Sequence, residues 1–176
     1  TKITLDMIRH GRNLSFDVPN MDLTTTQNGT SLFGSLTITN ALSTTGGFQT
    51  TLAGRSSYTL SSSDTIAWAL IINAPTGTYT LASAITSSAA FTVTTGSLVT
   101  SDYAMSVLTF VLSGSATRAV TLGTSTITTT STATATVWSA ASSGCTFSGG
   151  SSTIVISGAS ANTRTFAGAG VTYGTL

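Results

Sequence analysis

A short motif recurs along this chain: an apolar residue, a threonine, then a second apolar residue. It stands at Leu36-Thr37-Ile38, Tyr58-Thr59-Leu60, Tyr79-Thr80-Leu81, Phe91-Thr92-Val93, Val120-Thr121-Leu122 and Val171-Thr172-Tyr173. Successive side chains of a strand point to opposite faces, so each triplet sends two apolar groups one way and a hydroxyl the other. The first three, beginning at Leu36, Tyr58 and Tyr79, are nearly evenly spaced. Their step is close to one coil of a stacked β architecture, in which each coil buries its apolar face on the next. Later spacings are irregular, which marks a degenerate repeat.

A looser restatement lies between Val107 and Leu176. Leu112-Ser113-Gly114 leads to Arg118-Ala119-Val120, and Ile156-Ser157-Gly158 leads to Arg164-Thr165-Phe166. Between them come the alternating strand Thr132 to Val137, Trp138 and the turn-like Ser142-Ser143-Gly144. This reads as one unit beginning to repeat, with Arg118 and Arg164 in matching places. Gly46-Gly47, Pro75 to Gly77, Gly96, Gly123, Gly149-Gly150 and Gly168 to Gly170 supply turns between strands. Ile66 to Ile72 and Val107 to Leu112 read as further strands. In the second, Leu108, Phe110 and Leu112 share one face and Val107 and Val111 the other.

Composition supports strands over helices. Thr and Ser make up 66 of the 176 residues, Glu is absent and charged residues are 6%. Disorder goes with low hydrophobicity and high net charge, whereas this chain is 40% apolar with a net charge of +1. Six Lys plus Arg give no electrostatic footprint for nucleic acid, and no apolar run is long enough to cross a bilayer. The single Cys145 forms no intrachain disulfide and reads as a buried or half-buried small residue.

Residues 1–23 differ from the rest. Six of the eleven charges (Lys2, Asp6, Arg9, Arg12, Asp17 and Asp22) fall there with the one histidine. We read 1–23 as a docking segment that orders on a partner, 24–31 as a linker and 32–176 as the β-rich repeat domain. Ile3, Leu5, Met7, Ile8, Arg9, His10 and Arg12 are its candidate contact residues. The strand-like ending at Gly174-Thr175-Leu176 leads us to expect that another chain covers it or that the polypeptide continues.

At T-K-I-T-L-D-M-I (Thr1 to Ile8), V-W-S-A-A-S-S-G (Val137 to Gly144) and A-N-T-R-T-F-A-G-A-G-V-T-Y-G-T-L (Ala161 to Leu176) the sequence resembles virion proteins of tailed bacteriophages. The first is similar to the N-terminal segments by which tail fibres and spikes attach to the particle. The others are similar to the Thr/Ser/Gly-rich β-solenoid repeats of phage fibre proteins, a style shared by bacterial adhesins. The resemblance implies a non-enzymatic virion component, commonly a homotrimer, with an N-terminal anchor and a β-rich shaft. Many such spikes carry glycan-cleaving carboxylate pairs, and here the sequence departs from them.

Glycan hydrolysis needs two carboxyls facing one cleft, and the β region offers only Asp64 and Asp102, each read as a turn residue. His10 has no second His or Cys nearby, and the Gly-rich turns carry no Asp for calcium, so no metal or cofactor is expected. Thr126, Thr128, Thr130, Thr132, Thr134 and Thr136 form an alternating row. An ice-binding face would need that row on successive coils, and the solvated-strand reading is preferred. Trp138, at the end of a polar strand, and Arg118 and Arg164 are candidate contacts for a host-surface glycan. Trp68, inside an apolar run, reads as core.

The expected fold is therefore all-β, a β-solenoid-like or fibre-shaft domain after a short anchor, with a β-sandwich as the alternative. The expected function is a structural virion protein of tail-fibre or spike type that contacts other virion proteins, with a trimer favoured. A bacterial or archaeal surface adhesin or extracellular filament subunit is the alternative, and a secreted ice-binding domain the third reading.

Overall fold

A computed structural model describes residues 2–5, 9–17, 21–25, 29–40, 42–45, 48–140, 143–158, 160–168 and 170–175, with side chains described from residue 11 onward except at 21–25 and 42–45. The protein is an all-β solenoid built from parallel sheets. Its first coil is β1 (Lys2–Leu5), β2 (Arg9–Gly11) and β3 (Leu14–Phe16). The second is β4 (Met21–Thr25), β5 (Thr30–Leu32) and β6 (Leu36–Ile38), and the third β7 (Leu42–Thr45), β8 (Gln49–Leu52) and β9 (Ser57–Ser62). In the next two coils the second and third strands fuse. These are β10 (Thr65–Ile66) with β11 (Ala69–Leu81), then β12 (Ile85–Ser87) with β13 (Phe91–Val99). There follow β14 (Met105–Val107), β15 (Phe110–Leu112) and β16 (Arg118–Thr121), then β17 (Thr126–Thr129), β18 (Ala135–Ala140) and β19 (Cys145–Ser148), and finally β20 (Thr153–Ile156) and β21 (Arg164–Ala167).

Each coil thus visits three faces. The first face carries a three-stranded sheet, β1-β4-β7, and a five-stranded sheet, β10-β12-β14-β17-β20. The second face holds the longest ladder among the described residues, β2-β5-β8-β11-β13-β15-β18-β21. The third runs β3-β6-β9, continues through the C-terminal halves of β11 and β13, and ends in β16-β19. We call the turns between the first and second, second and third, and third and next first face the first, second and third corners.

The core lies inside these faces, where like residues stack in register. On the second face one column reads Leu32, Leu52, Ile72, Val93, Leu112, Ala140 and a second reads Leu70, Phe91, Phe110, Trp138, Phe166. The third face supplies Tyr58, Tyr79, Leu98, Val120, Phe147. The first contributes Ile85, Met105, Ile127, Ile154. Threonines alternate outward between them, so a chain with few charges still presents polar strands to water.

The registers revise several expectations from the sequence. Tyr58 does pair Tyr79, as the triplets suggest, but Leu36 pairs Leu60 and not Tyr58, so the first step is longer than the triplet spacing. Coils also lengthen late: Phe91 pairs Phe110, and the next step, from Phe110 to Trp138, takes in more chain. The added residues sit at the first corner, 130–134 and then 157–163. Leu112 ends a strand of the second face and Ile156 a strand of the first, so the two arginine-bearing stretches are not equivalent. Arg118 stands opposite Gly96 and Cys145, and Arg164 opposite Ala135.

Corners also break the expected alternations. Val107 and Phe110 both point inward across the first corner, leaving Leu108 38% exposed. Ile66 to Ile72, by contrast, is two strands joined at the same corner that keep period two across it, with Ile66, Trp68, Leu70 and Ile72 buried. The Thr row is interrupted: Thr129 is buried, the stretch after it leaves the strand, and Thr136 lies in β18. Thr128 has Ser106 and Val155 as register partners, so no threonine array crosses neighbouring coils there.

No separate unit is marked at residue 23. The backbones of β1, β2 and β3 pair in parallel with β4, β5 and β6 and continue the ladders. The stretch expected as a linker, 24–31, contributes the end of β4 and the start of β5. At the far end Thr175 bridges to Thr153, and its N–H donates to the Ser152 carbonyl at 2.9 Å.

Candidate functional site

The residues first singled out are placed apart. Trp138 has no exposed surface and is stacked between Phe110 and Phe166, so it offers no face to a sugar. A β-bulge within β18 explains the failed expectation: the register against β21 shifts between Thr136 and Trp138, leaving both Val137 and Trp138 buried, where strict alternation would expose one. Arg118 is buried and its Nη1 donates to the Ala116 carbonyl at 2.8 Å. Arg164 is half-buried and donates to the Ser157 carbonyl at 2.7 Å. Both guanidiniums secure turns, one of the roles open to them from sequence. Met7 and Ile8 lie outside the described residues, and of Ile3, Leu5, Arg9 and His10 only the backbone is described, in β1 and β2. Arg12 is exposed.

Arg12 is part of an arrangement that reading along the sequence did not assemble. It lies at the second corner of the first coil, Phe33 at that corner of the second, and Arg55 at that corner of the third. With Asn13 and Tyr58 they line a groove of about 470 Å³. Phe33 is 44% exposed, large for a phenyl ring. The signal was present in the numbering, because Arg12, Phe33 and Arg55 follow one another at nearly equal steps of one coil.

Hydrogen bonds between coils hold this groove. The Asn13 side-chain oxygen accepts from the Ser35 N–H at 2.8 Å, and Ser35 Oγ accepts from the Thr59 N–H at 3.0 Å. The Phe33 N–H donates to the Gly11 carbonyl at 2.7 Å. Gly34 leaves no space for a Cβ, because the Arg12 carbonyl and the Asn13 amide close on it. Beneath, the buried Tyr79 hydroxyl accepts from the Gly54 N–H at 3.1 Å and reaches the carbonyls of Leu32 and Gly34 at 3.3 and 3.2 Å. Burial pushes the Tyr79 phenol above its ordinary pKa, against the pull of the Gly54 hydrogen bond. Its ring supports that of Tyr58, with centroids 5.6 Å apart.

The same corner continues into a second groove of about 610 Å³, lined among others by Pro75, Thr76, Gly96, Thr117 and Thr146. The opposite charge collects elsewhere. Asp17, Asp64 and Asp102 all fall at the third corner, in the first, third and fifth coils. Asp64 Oδ1 accepts from the Thr65 N–H at 2.8 Å, and Asp102 Oδ1 from the Thr124 N–H at 2.7 Å. That backbone bond, with a further bond from the Thr124 side chain, holds the Asp102 carboxyl below its ordinary range.

Among the described residues no three His, Cys, Asp or Glu side chains gather as metal ligands, and no helix is long and apolar enough to cross a membrane. Cys145 is half-buried, and burial raises its thiol pKa while Arg118 nearby opposes the rise. Comparison of the chain with family models, with curated proteins and with solved structures gives no match.

Proposed function

We propose that this chain is a non-enzymatic structural component of a tailed-phage virion, of tail-fibre or spike type, whose solenoid forms a shaft. The observation that carries the reading is the eight-strand parallel ladder on the second face. A body in which each coil packs on the next extends by simple repetition, which suits a spacer. Outward threonines keep the strands soluble at low net charge, and the stretches at Thr1 to Ile8, Val137 to Gly144 and Ala161 to Leu176 resemble phage virion proteins.

In this reading the first coil meets other virion proteins and three copies assemble side by side. Since β4 begins at Met21, a deletion ending at residue 17 removes the first coil whole, whereas one ending at 23 cuts through a strand. Gold-labelled antibodies to the protein should decorate the tail appendages of phage particles, and deletion of residues 1–17 should abolish decoration without unfolding the rest. Light scattering should give three times the chain mass. Labelling of bacterial surfaces instead of particles would favour the surface-adhesin reading, to which an exposed groove at the second corner is equally suited.

A further inference from the structure

We propose that the second corner from Arg12 to Arg55 is a binding site for an acidic polysaccharide lying along the coil stack, with Phe33 as its platform. Neighbouring strands are about 4.8 Å apart, so Arg12 and Arg55, two coils apart, are offset by about 10 Å along the stack. That is close to the length of a disaccharide. A glycan with one carboxylate per disaccharide repeat would place successive carboxylates on the two guanidiniums. The sugar between them would set its C–H face on Phe33, the side chain at the corner of the intervening coil and 44% exposed.

Each part of the groove suits such a ligand. A guanidinium meets a carboxylate with two parallel N–H···O bonds, which gives both strength and direction. An exposed ring flanked by donors matches the alternating C–H and hydroxyl surface of a pyranose. The groove is pre-formed, because Asn13, Ser35 and the Tyr79 hydroxyl tie successive coils together from behind, so little ordering is left for the ligand to impose. The groove further along the same corner, largely apolar with hydroxyls at Thr76, Thr117 and Thr146, extends the track in the direction such a polymer would run. Nucleic acid fits less well. It carries a charge at every nucleotide, while this groove offers two guanidiniums two coils apart, and three aspartates fall at the third corner. The proposal does not depend on the virion reading, since a fibre and an adhesin would use such an edge alike.

The test is calorimetric titration of the full chain with hyaluronan octasaccharide, which bears one carboxylate per disaccharide. Dextran oligomers and oligothymidylate of similar length serve as comparators. Binding of hyaluronan, weakened about tenfold or more by R12Q, R55Q and F33A separately and unchanged by Y103A, is the expected result. All four side chains are exposed, so circular dichroism should show each variant folded. Absence of hyaluronan binding, equal binding of dextran, tighter binding of oligothymidylate, or hyaluronan affinity unaffected by the three substitutions would each overturn the proposal. Failure of particle labelling would leave these outcomes unaltered, so the two readings fail separately.

Discussion

Phe110 and Trp138, register partners on successive coils, stack face to face, with ring centroids 4.7 Å apart and planes inclined by 14°. The stack continues to Phe91 on one side and Phe166 on the other, at 5.9 Å in each case. Trp138 also donates from Nε1 to the Tyr173 hydroxyl at 2.9 Å. It therefore adds an aromatic contact to the three ladders that hold the longer late coils to the earlier ones. Trp138→Ala should cost about 3–5 kcal/mol, the range for a buried aromatic truncated to leave a cavity. Urea unfolding followed by far-UV circular dichroism would measure it, and a loss under about 1 kcal/mol would show that the column is not a main source of stability.

Two glycines separate backbone conformation from close approach. Gly96 and Gly114 both have φ of 84°. A Cβ at Gly114 would meet nothing within 4 Å, whereas one at Gly96 would run into the Ala74 carbonyl oxygen. Gly114→Ala should thus cost only the left-handed strain of about 1–2 kcal/mol. Gly96→Ala should cost that and at least about 1 kcal/mol more, because the fused strand β13 must move away from β11. Thermal unfolding of the two variants gives the difference directly.

The Asp102 carboxyl predicts a pH dependence of defined sign. Its folded pKa is lowered from 3.8, first by the Thr124 N–H and then by the Thr124 side chain. The folded state therefore favours the ionised form. The resulting stabilisation is present above the ordinary value and fades as pH falls through the lower folded value. Asp102→Asn keeps an acceptor oxygen and tolerates the positive φ of 65° at this position. The wild type should be the more stable at neutral pH, with the gap narrowing below about pH 4. Paired urea titrations at neutral and strongly acidic pH would test this; a constant gap would remove the carboxylate from the account.

Tyr79→Phe isolates one buried hydroxyl. The ring would stay against Tyr58, but the Gly54 N–H would lose its acceptor inside the protein. A buried donor left without a partner costs about 1–3 kcal/mol. Amide exchange at Gly54 should accelerate by more than at distant strands such as β17 if the effect is local to the corner, and uniform acceleration would contradict that.

The solenoid itself was legible in the sequence because apolar-Thr-apolar triplets recur near the coil length, and Tyr58 with Tyr79 gives the register correctly. What could not be read was the position of the corners. Val107 and Phe110 both turn inward because a bend resets the alternation that a strand would continue, and Val137 and Trp138 both turn inward because a bulge inside β18 shifts it by one residue. Period two carried through the bend assigns Leu108 to the core, and carried through the bulge assigns Trp138 to the surface. The same cause hid the groove. Arg12, Phe33 and Arg55 share no local motif and come together only when the chain is wrapped coil upon coil. Arg118 and Arg164 share a motif and stand on different faces.

The parallel ladders also decide how the molecule meets a pull. Inter-strand hydrogen bonds point along the stack, from each coil to the next, while covalent chain runs around it. Tension applied along the stack therefore loads those bonds one coil at a time, as in opening a zipper, instead of shearing many together. Each coil released would let out roughly 70 Å of chain, about 20 residues at close to 3.5 Å each. A fibre of this build would give way in steps, lengthening under load before it breaks.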